Sequence, residues 1–301
     1  MSEKWFEDKF EKKRLRNYAK RQLKTNYFTN VLRKLSITNW IILINLLVFI
    51  IAIILISIIG EEKIIPNLAL QPNAFFSGTI WTLFTSMFMH GNAAHLLFNM
   101  ISLFFIGNFV EKIIGRKKFL GFYLISGILA GLFYVTLSYF LGNSILGAKI
   151  FVSPELSAVG ASGAIFALLG LLAILTPSNR VYLITGPLIA IIFQVLISYM
   201  FPEAQFLPIL DLLITIYFIV SIFSIFSFNP NLRRIALPLE MSFWVLPIVA
   251  IIPLVVIGLF LPLPIGNTAH LGGLLTGFIY ALYLKNKYPN KTKQLAKMFS
   301  K

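Results

Sequence analysis

Residues 40–59 read WIILINLLVFIIAIILISII, a run without a charge and interrupted only by Asn45 and Ser57. A bilayer core about 30 Å thick needs about 20 largely apolar residues per helix, so this stretch reads as a membrane-spanning segment. The same criterion picks out seven more: 93–110, 118–141, 161–175, 181–200, 206–228, 241–262 and 268–284. The expected fold is therefore an all-α polytopic membrane protein with about eight transmembrane segments. The fourth segment is short and opens Gly-rich, which suits a helix lying partly in the protein interior. Composition agrees: 58% of the 301 residues are hydrophobic and 12% charged, with 29 phenylalanines, which excludes a water-soluble single domain.

The formal charge is +15, which in a soluble protein would point to nucleic acid. Here the basic residues sit in a few short stretches. With the N-terminus in the cytoplasm and alternating sides, 24 of the 26 Lys and Arg fall on the cytoplasmic side, and only Lys63 and Lys149 fall outside. The positive-inside rule then sets both termini in the cytoplasm, and nucleic acid is not expected as a partner. Residues 1–39, with eleven Lys and Arg and four acids, form a basic cytoplasmic segment too long and too acidic for a cleavable signal peptide. It reads either as an amphipathic helix on anionic lipid headgroups or as a solvated tail. Residues 40–284 are the membrane domain and 285–301 a basic cytoplasmic tail. Long outer connections at 60–92 and 142–160 are places where function tends to sit. The chain has no cysteine, which excludes disulfides, thiol nucleophiles and thiolate metal sites.

Polar groups at membrane depth are costly, and each is a functional hypothesis. His90, His95 and His270, all the histidines of the chain, lie at the outer ends of apolar segments, and Asn99 follows His95 by four residues, on the same helix face. Ser162 opens the fourth segment within Gly160-Ala161-Ser162-Gly163, with Phe166 one turn on. Segments two, four and eight all run inward, so His95, Ser162 and His270 are expected at one level. A serine needs a neighbouring base to become nucleophilic, and histidine suits that role. The oxyanion formed on carbonyl attack needs donors, which helix-start N–H groups, His95 and Asn99 offer. Each feature also has a plainer reading. Gly160, Ser162, Gly163, Ala167 and Gly170 form a small-residue packing face, Gly273 and Gly277 do the same beside His270, and His95 and Asn99 serve as interhelical hydrogen-bonding glue. Gln194 reads as interhelical glue and Asp211 as near an interface.

These residues resemble the rhomboid family of intramembrane serine proteases. The resemblance rests on Trp81, His90-Gly91, His95-Leu96-Leu97-Phe98-Asn99, Glu111, Gly160-Ala161-Ser162-Gly163 and Ala269-His270-Leu271-Gly272-Gly273 with Gly277, in that order over about 200 residues. It implies Ser162 as nucleophile and His270 as general base and acid, with no third carboxylate. It implies His95, Asn99 and the Ser162 N–H as oxyanion donors, Phe166 stacked on His270, and His90 hydrogen-bonded within the first outer loop. Trp81, Glu111, Gly160, Gly163, Gly273 and Gly277 are implied as supporting residues. The implied substrates are transmembrane helices of other membrane proteins, with no metal and no cofactor.

Two departures stand out. Thr82 occupies the place of the family's usual Arg, and three apolar segments, not one, separate Ser162 from His270. The resemblance thus implies a six-span core plus two extra spans; three, like one, is odd, so the pair still enters from one side. Segment five or segment seven is the counterpart of the single intervening helix, and seven is preferred because it leads through Pro262, Pro264 and Gly266 to His270. Rival functions are a proton-relay transporter, a three-histidine zinc enzyme and a catalytically silent rhomboid-like binding or quality-control factor. The first predicts polar groups along a whole path across the membrane, and the second lacks a His-Glu-x-x-His motif. An aspartyl intramembrane protease is excluded, since Asp8 and Asp211 are the only aspartates.

Overall fold

A computed structural model describes residues 35–225, 227, 229–260 and 266–298. The basic stretch 1–34, read above as a lipid-surface helix or a solvated tail, and Pro262 and Pro264 on the way to His270 lie outside the described residues. Eight helices occupy the expected segments: α1 Ile37–Ile59, α2 Ala93–Ile114, α3 Arg116–Leu141, α4 Ser162–Leu175, α5 Thr185–Met200, α6 Leu207–Ile225, α7 Leu246–Phe260 and α8 Asn267–Lys287. Four of them, α1, α2, α3 and α6, are both long and apolar enough to cross a membrane.

Among the described residues the fold departs from an all-α bundle at one two-stranded sheet. Arg180–Ile184 (β1) pairs antiparallel with Pro238–Ser242 (β2), in the register Arg180↔Ser242 to Ile184↔Pro238. Residues 181–184, expected as the first turn of segment five, are Val-Tyr-Leu-Ile, β-branched and aromatic types that favour a pleated strand once a partner is available. Pro187, three positions into α5, cannot supply a helical N–H to the preceding turn, which explains why the helix starts at Thr185. The strands consume the ends of two expected spans. Hence α5 has 16 residues and α7 has 15, about 24 and 22 Å at 1.5 Å per residue.

The core forms around α4, eleven of whose fourteen residues are buried. Its closest neighbour is α8, and α2, α3 and α7 surround the pair. Small residues make that contact. A Cβ on Gly273 would run into the Gly163 carbonyl, one on Gly277 into the Ala167 carbonyl, and one on Gly170 into the Leu274 carbonyl. The packing-face reading of these glycines therefore holds, alongside whatever Ser162 and His270 do. Helix α5 packs chiefly on α6, tied by a hydrogen bond from the Gln194 amide to the Asp211 carboxylate, 2.5 Å. Helix α6 reaches α2 through the rings of Phe218 and Phe98, 4.0 Å apart.

The start of α1 is held by α2. The buried Glu111 carboxylate accepts from the backbone N–H groups of Ile37 and Thr38 and from the Thr38 hydroxyl, at 2.8–2.9 Å. A negative charge at a helix N-terminus satisfies orphan donors and favours the dipole. At the other end, the 60–92 and 142–160 connections join through paired backbone bonds between Leu70 and Ala158. The indole of Trp81 donates to the Asn67 carbonyl, 2.9 Å, and the buried Thr82 hydroxyl to the Thr79 carbonyl, 2.6 Å.

Candidate active site

The structure brings Ser162 and His270 together. Ser162 is the first residue of α4 and His270 the fourth of α8, and the glycine-lined contact holds these two ends side by side. His270 Nε2 lies 2.8 Å from Ser162 Oγ. The Phe166 ring stacks on the imidazole, with centroids 4.3 Å apart and planes 12° from parallel. The other ring nitrogen, Nδ1, is buried without a hydrogen-bond partner. With Nε2 facing the hydroxyl, the neutral tautomer carrying its hydrogen on Nδ1 leaves Nε2 free to accept the serine proton.

His95 and Asn99 lie on the second side of the same pocket. A Cβ on Gly160 would come within 2.9 Å of His95 Nε2 and 3.4 Å of Asn99 Nδ2, so both groups converge on the backbone just ahead of Ser162. Gly160 has φ +127°, a conformation that side chains rarely adopt, and its N–H donates to the Ser86 carbonyl at 2.8 Å. Glycine is required there twice over, by backbone geometry and by space. The Asn99 side-chain nitrogen is buried and has no partner among the described residues. Residues 162–164 open α4, where N–H groups lack intrahelical acceptors. A hydroxyl, a ring acceptor and several unspent donors thus converge around Gly160 and Ser162.

His90 sits beside His95 at the end of the first outer connection. Its ring packs edge-on against His95, with centroids 5.1 Å apart, but neither nitrogen finds a hydrogen-bond partner of good geometry. Lying in the turn before α2, it has its pKa lowered to about 4, chiefly by burial and secondarily by the charge of His95; the Phe88 carbonyl pulls weakly the other way. The three histidines do not gather with acids into a metal-ligand set among the described residues. Two residues escaped the sequence reading. Asn92 caps α2, its side chain accepting from the His95 N–H at 2.8 Å, and the Ser86 carbonyl anchors Gly160. An Asn directly ahead of an apolar run is an N-cap signal and would have revealed the first; the second is a backbone contact that no side chain announces.

A serine hydroxyl facing a histidine across two helices, inside an apolar bundle, defines a class: multi-pass membrane proteins with a buried serine–histidine pair. Comparison narrows that class. A family model described as the Rhomboid domain matches residues 77–206 and 214–287, and the chain belongs to the rhomboid family. It is an integral membrane protein. Rhomboid protease AarA of Providencia stuartii is 34% identical over 139 residues, 44% of this chain and 48% of that protein. Rhomboid protease GluP of Bacillus subtilis is 34% identical over 121 residues, 40% and 21%. Rhomboid protease GlpG of Salmonella paratyphi A is 28% identical over 163 residues, 53% and 52%. The chain thus aligns with between about a fifth and about half of the length of these relatives.

Proposed function

We propose that the protein is an intramembrane serine endopeptidase that hydrolyses peptide bonds in or beside the transmembrane helices of other membrane proteins. The observation that carries this reading is the 2.8 Å contact between Ser162 Oγ and His270 Nε2 under a stacked Phe166.

In this reading Ser162 Oγ attacks the substrate carbonyl carbon while its proton passes to His270 Nε2. The resulting oxyanion accepts hydrogen bonds from His95, Asn99 and the Ser162 N–H. The C–N bond then breaks as His270 returns the proton to the leaving amine. Water, activated by the same imidazole, hydrolyses the acyl-serine and restores the hydroxyl. Phe166 does by stacking the orienting work that a carboxylate does in a triad.

The architecture of the reading has eight spans, with both termini cytoplasmic and the site opening to the outer face. Helix α4, about 21 Å long for its 14 residues, falls short of a bilayer core of about 30 Å. Its far end, Leu175, lines one cavity with Ile114 and Leu284, the inner ends of α2 and α8. The shortfall lies therefore on the outer side, and supports a Ser162 recessed about 9 Å below that boundary, where water arrives from above and a substrate helix from the lipid. Helices α5 and α6 are the two extra spans, and α7, packed on α4 and α8, stands for the family's single intervening helix.

Detergent-purified protein incubated with a transmembrane-helix substrate is expected to yield two fragments, and Ser162→Ala and His270→Ala each to abolish them. Full activity in Ser162→Ala would sink the serine mechanism. No cleavage by the unaltered protein, together with no labelling by a serine-directed fluorophosphonate, would make the chain a silent binding factor instead.

A further inference from the structure

At the end of the bundle opposite Ser162, a cavity of about 300 Å³ opens between α2, α3, α4, α8 and the short helix Pro289–Met298. Its floor is apolar, built from Ile113, Ile114, Leu175, Leu284 and Leu295, and its rim carries Lys118 and Lys291. Three ammonium groups surround the Tyr288 ring on this rim: Lys118 Nζ at 5.3 Å from the centroid, and Lys287 and Lys291 at 5.8 Å each. Lys287 also donates to the Tyr283 hydroxyl, 2.7 Å.

Three ammonium groups around one ring make this rim strongly basic, each held by cation–π attraction. Among the described residues no carboxylate lines the cavity. The nearest acid on α2, Glu111, is spent on the start of α1 and faces Arg116 at 3.9 Å. The basic rim suits an anion and the apolar floor an acyl chain. One amphiphile supplies both. The cavity also lies at the right height: it is lined by the inner ends of α2, α4 and α8 and the first turn of α3, hence it sits at one membrane surface. That is the surface where most basic residues of the chain lie, and cytoplasmic leaflets are the anionic ones.

We propose that this cavity binds the phosphate of an anionic phospholipid, with Lys118 and Lys291 on the phosphate oxygens and the upper acyl chain against Leu175, Leu284 and Leu295. The site stands apart from Ser162 and rests on no assumption about proteolysis. The full chain in detergent is titrated with phosphatidylglycerol, with phosphatidylcholine of the same acyl chains and with inorganic phosphate, and bound copies are counted by native mass spectrometry. Phosphatidylglycerol is expected to bind at least about tenfold more tightly than phosphatidylcholine. Lys118→Gln/Lys291→Gln should weaken it about thirtyfold, as two surface lysines near a lipid headgroup imply. Removing equal charge elsewhere on the same face, with Arg233→Gln/Arg234→Gln, should leave it unchanged. Leu295→Trp, which fills the floor and keeps both lysines, should also weaken it. Equal binding of the two lipids, equal losses in the two charge variants, or full binding in Leu295→Trp would overturn the proposal. Inorganic phosphate displacing the lipid at matching concentration would assign the site to free phosphate instead.

Discussion

Asn99 and His90 show how differently two buried polar side chains a few residues apart can be placed. The Asn99 amide nitrogen is unspent and points with His95 at the backbone ahead of Ser162. An oxyanion donor contributes about 3 kcal/mol to the barrier, so Asn99→Ala should lower turnover by about 100-fold. Thermal unfolding should barely change, because no existing hydrogen bond is lost; an unaltered kcat would remove Asn99 from the site. His90 is held neutral by burial, with a folded pKa of about 4 against 6.5 when unfolded. The unfolded chain thus binds a proton between those values that the folded chain refuses, and stability falls as pH drops from about 6.5 to about 4. Melting temperatures followed across that window should slope downward with acid, and the slope should flatten in His90→Leu. Neither property was legible in the sequence: the spacing located both residues, but burial without a partner is a fact of packing. The family resemblance led to a hydrogen-bonded His90; the Phe88 carbonyl acts on its ring, although neither nitrogen makes a hydrogen bond of good geometry.

Among the elements, the contact of α4 with α8 decides the most. Gly163, Ala167 and Gly170 face Gly273 and Gly277 so closely that carbonyls occupy the space a methyl group would need. Gly277→Ala must push the helices apart, since its Cβ would strike backbone and not a flexible side chain. Overpacking of this kind costs about 1–3 kcal/mol, and here it would also lengthen the Ser162–His270 contact two turns away. The expected outcome is a lower melting temperature together with reduced activity; a loss of stability without loss of activity would show that the pocket tolerates helix separation. This contact was readable in advance, because small residues at helical spacing advertise close approach whatever else they do. The β1–β2 pair was not. Val181, Tyr182, Leu183 and Ile184 satisfy a span's hydropathy as well as a strand's, and only a partner strand 58 residues away distinguishes them.

On the scale of the whole molecule, orientation is the property that charge encodes and packing does not. The cysteine-free chain makes it directly measurable, since single cysteines report without background. A cysteine at position 63 or 149 should react with a membrane-impermeant maleimide added to intact cells, and one at 117 or 234 only after lysis. Labelling of all four from outside would refute the eight-span arrangement. Ser162 and His270 meet at one end of the bundle, and an odd number of spans between them, the parity read from the sequence, is consistent with that. The distance between them was beyond counting, and depends on the glycine contact and on where α4 begins.

The ladder joining Arg180 to Ser242 has one more consequence. The chain leaves the inner end of α4 and returns to it at nearly the same point, so α5 and α6 form a closed parenthesis. A stretch bracketed in this way can lengthen, shorten or change its sequence while the two anchor points stay put. Two strands of five residues fix where that stretch leaves and rejoins the bundle beside α4, and the Phe98–Phe218 contact holds its α6 to α2.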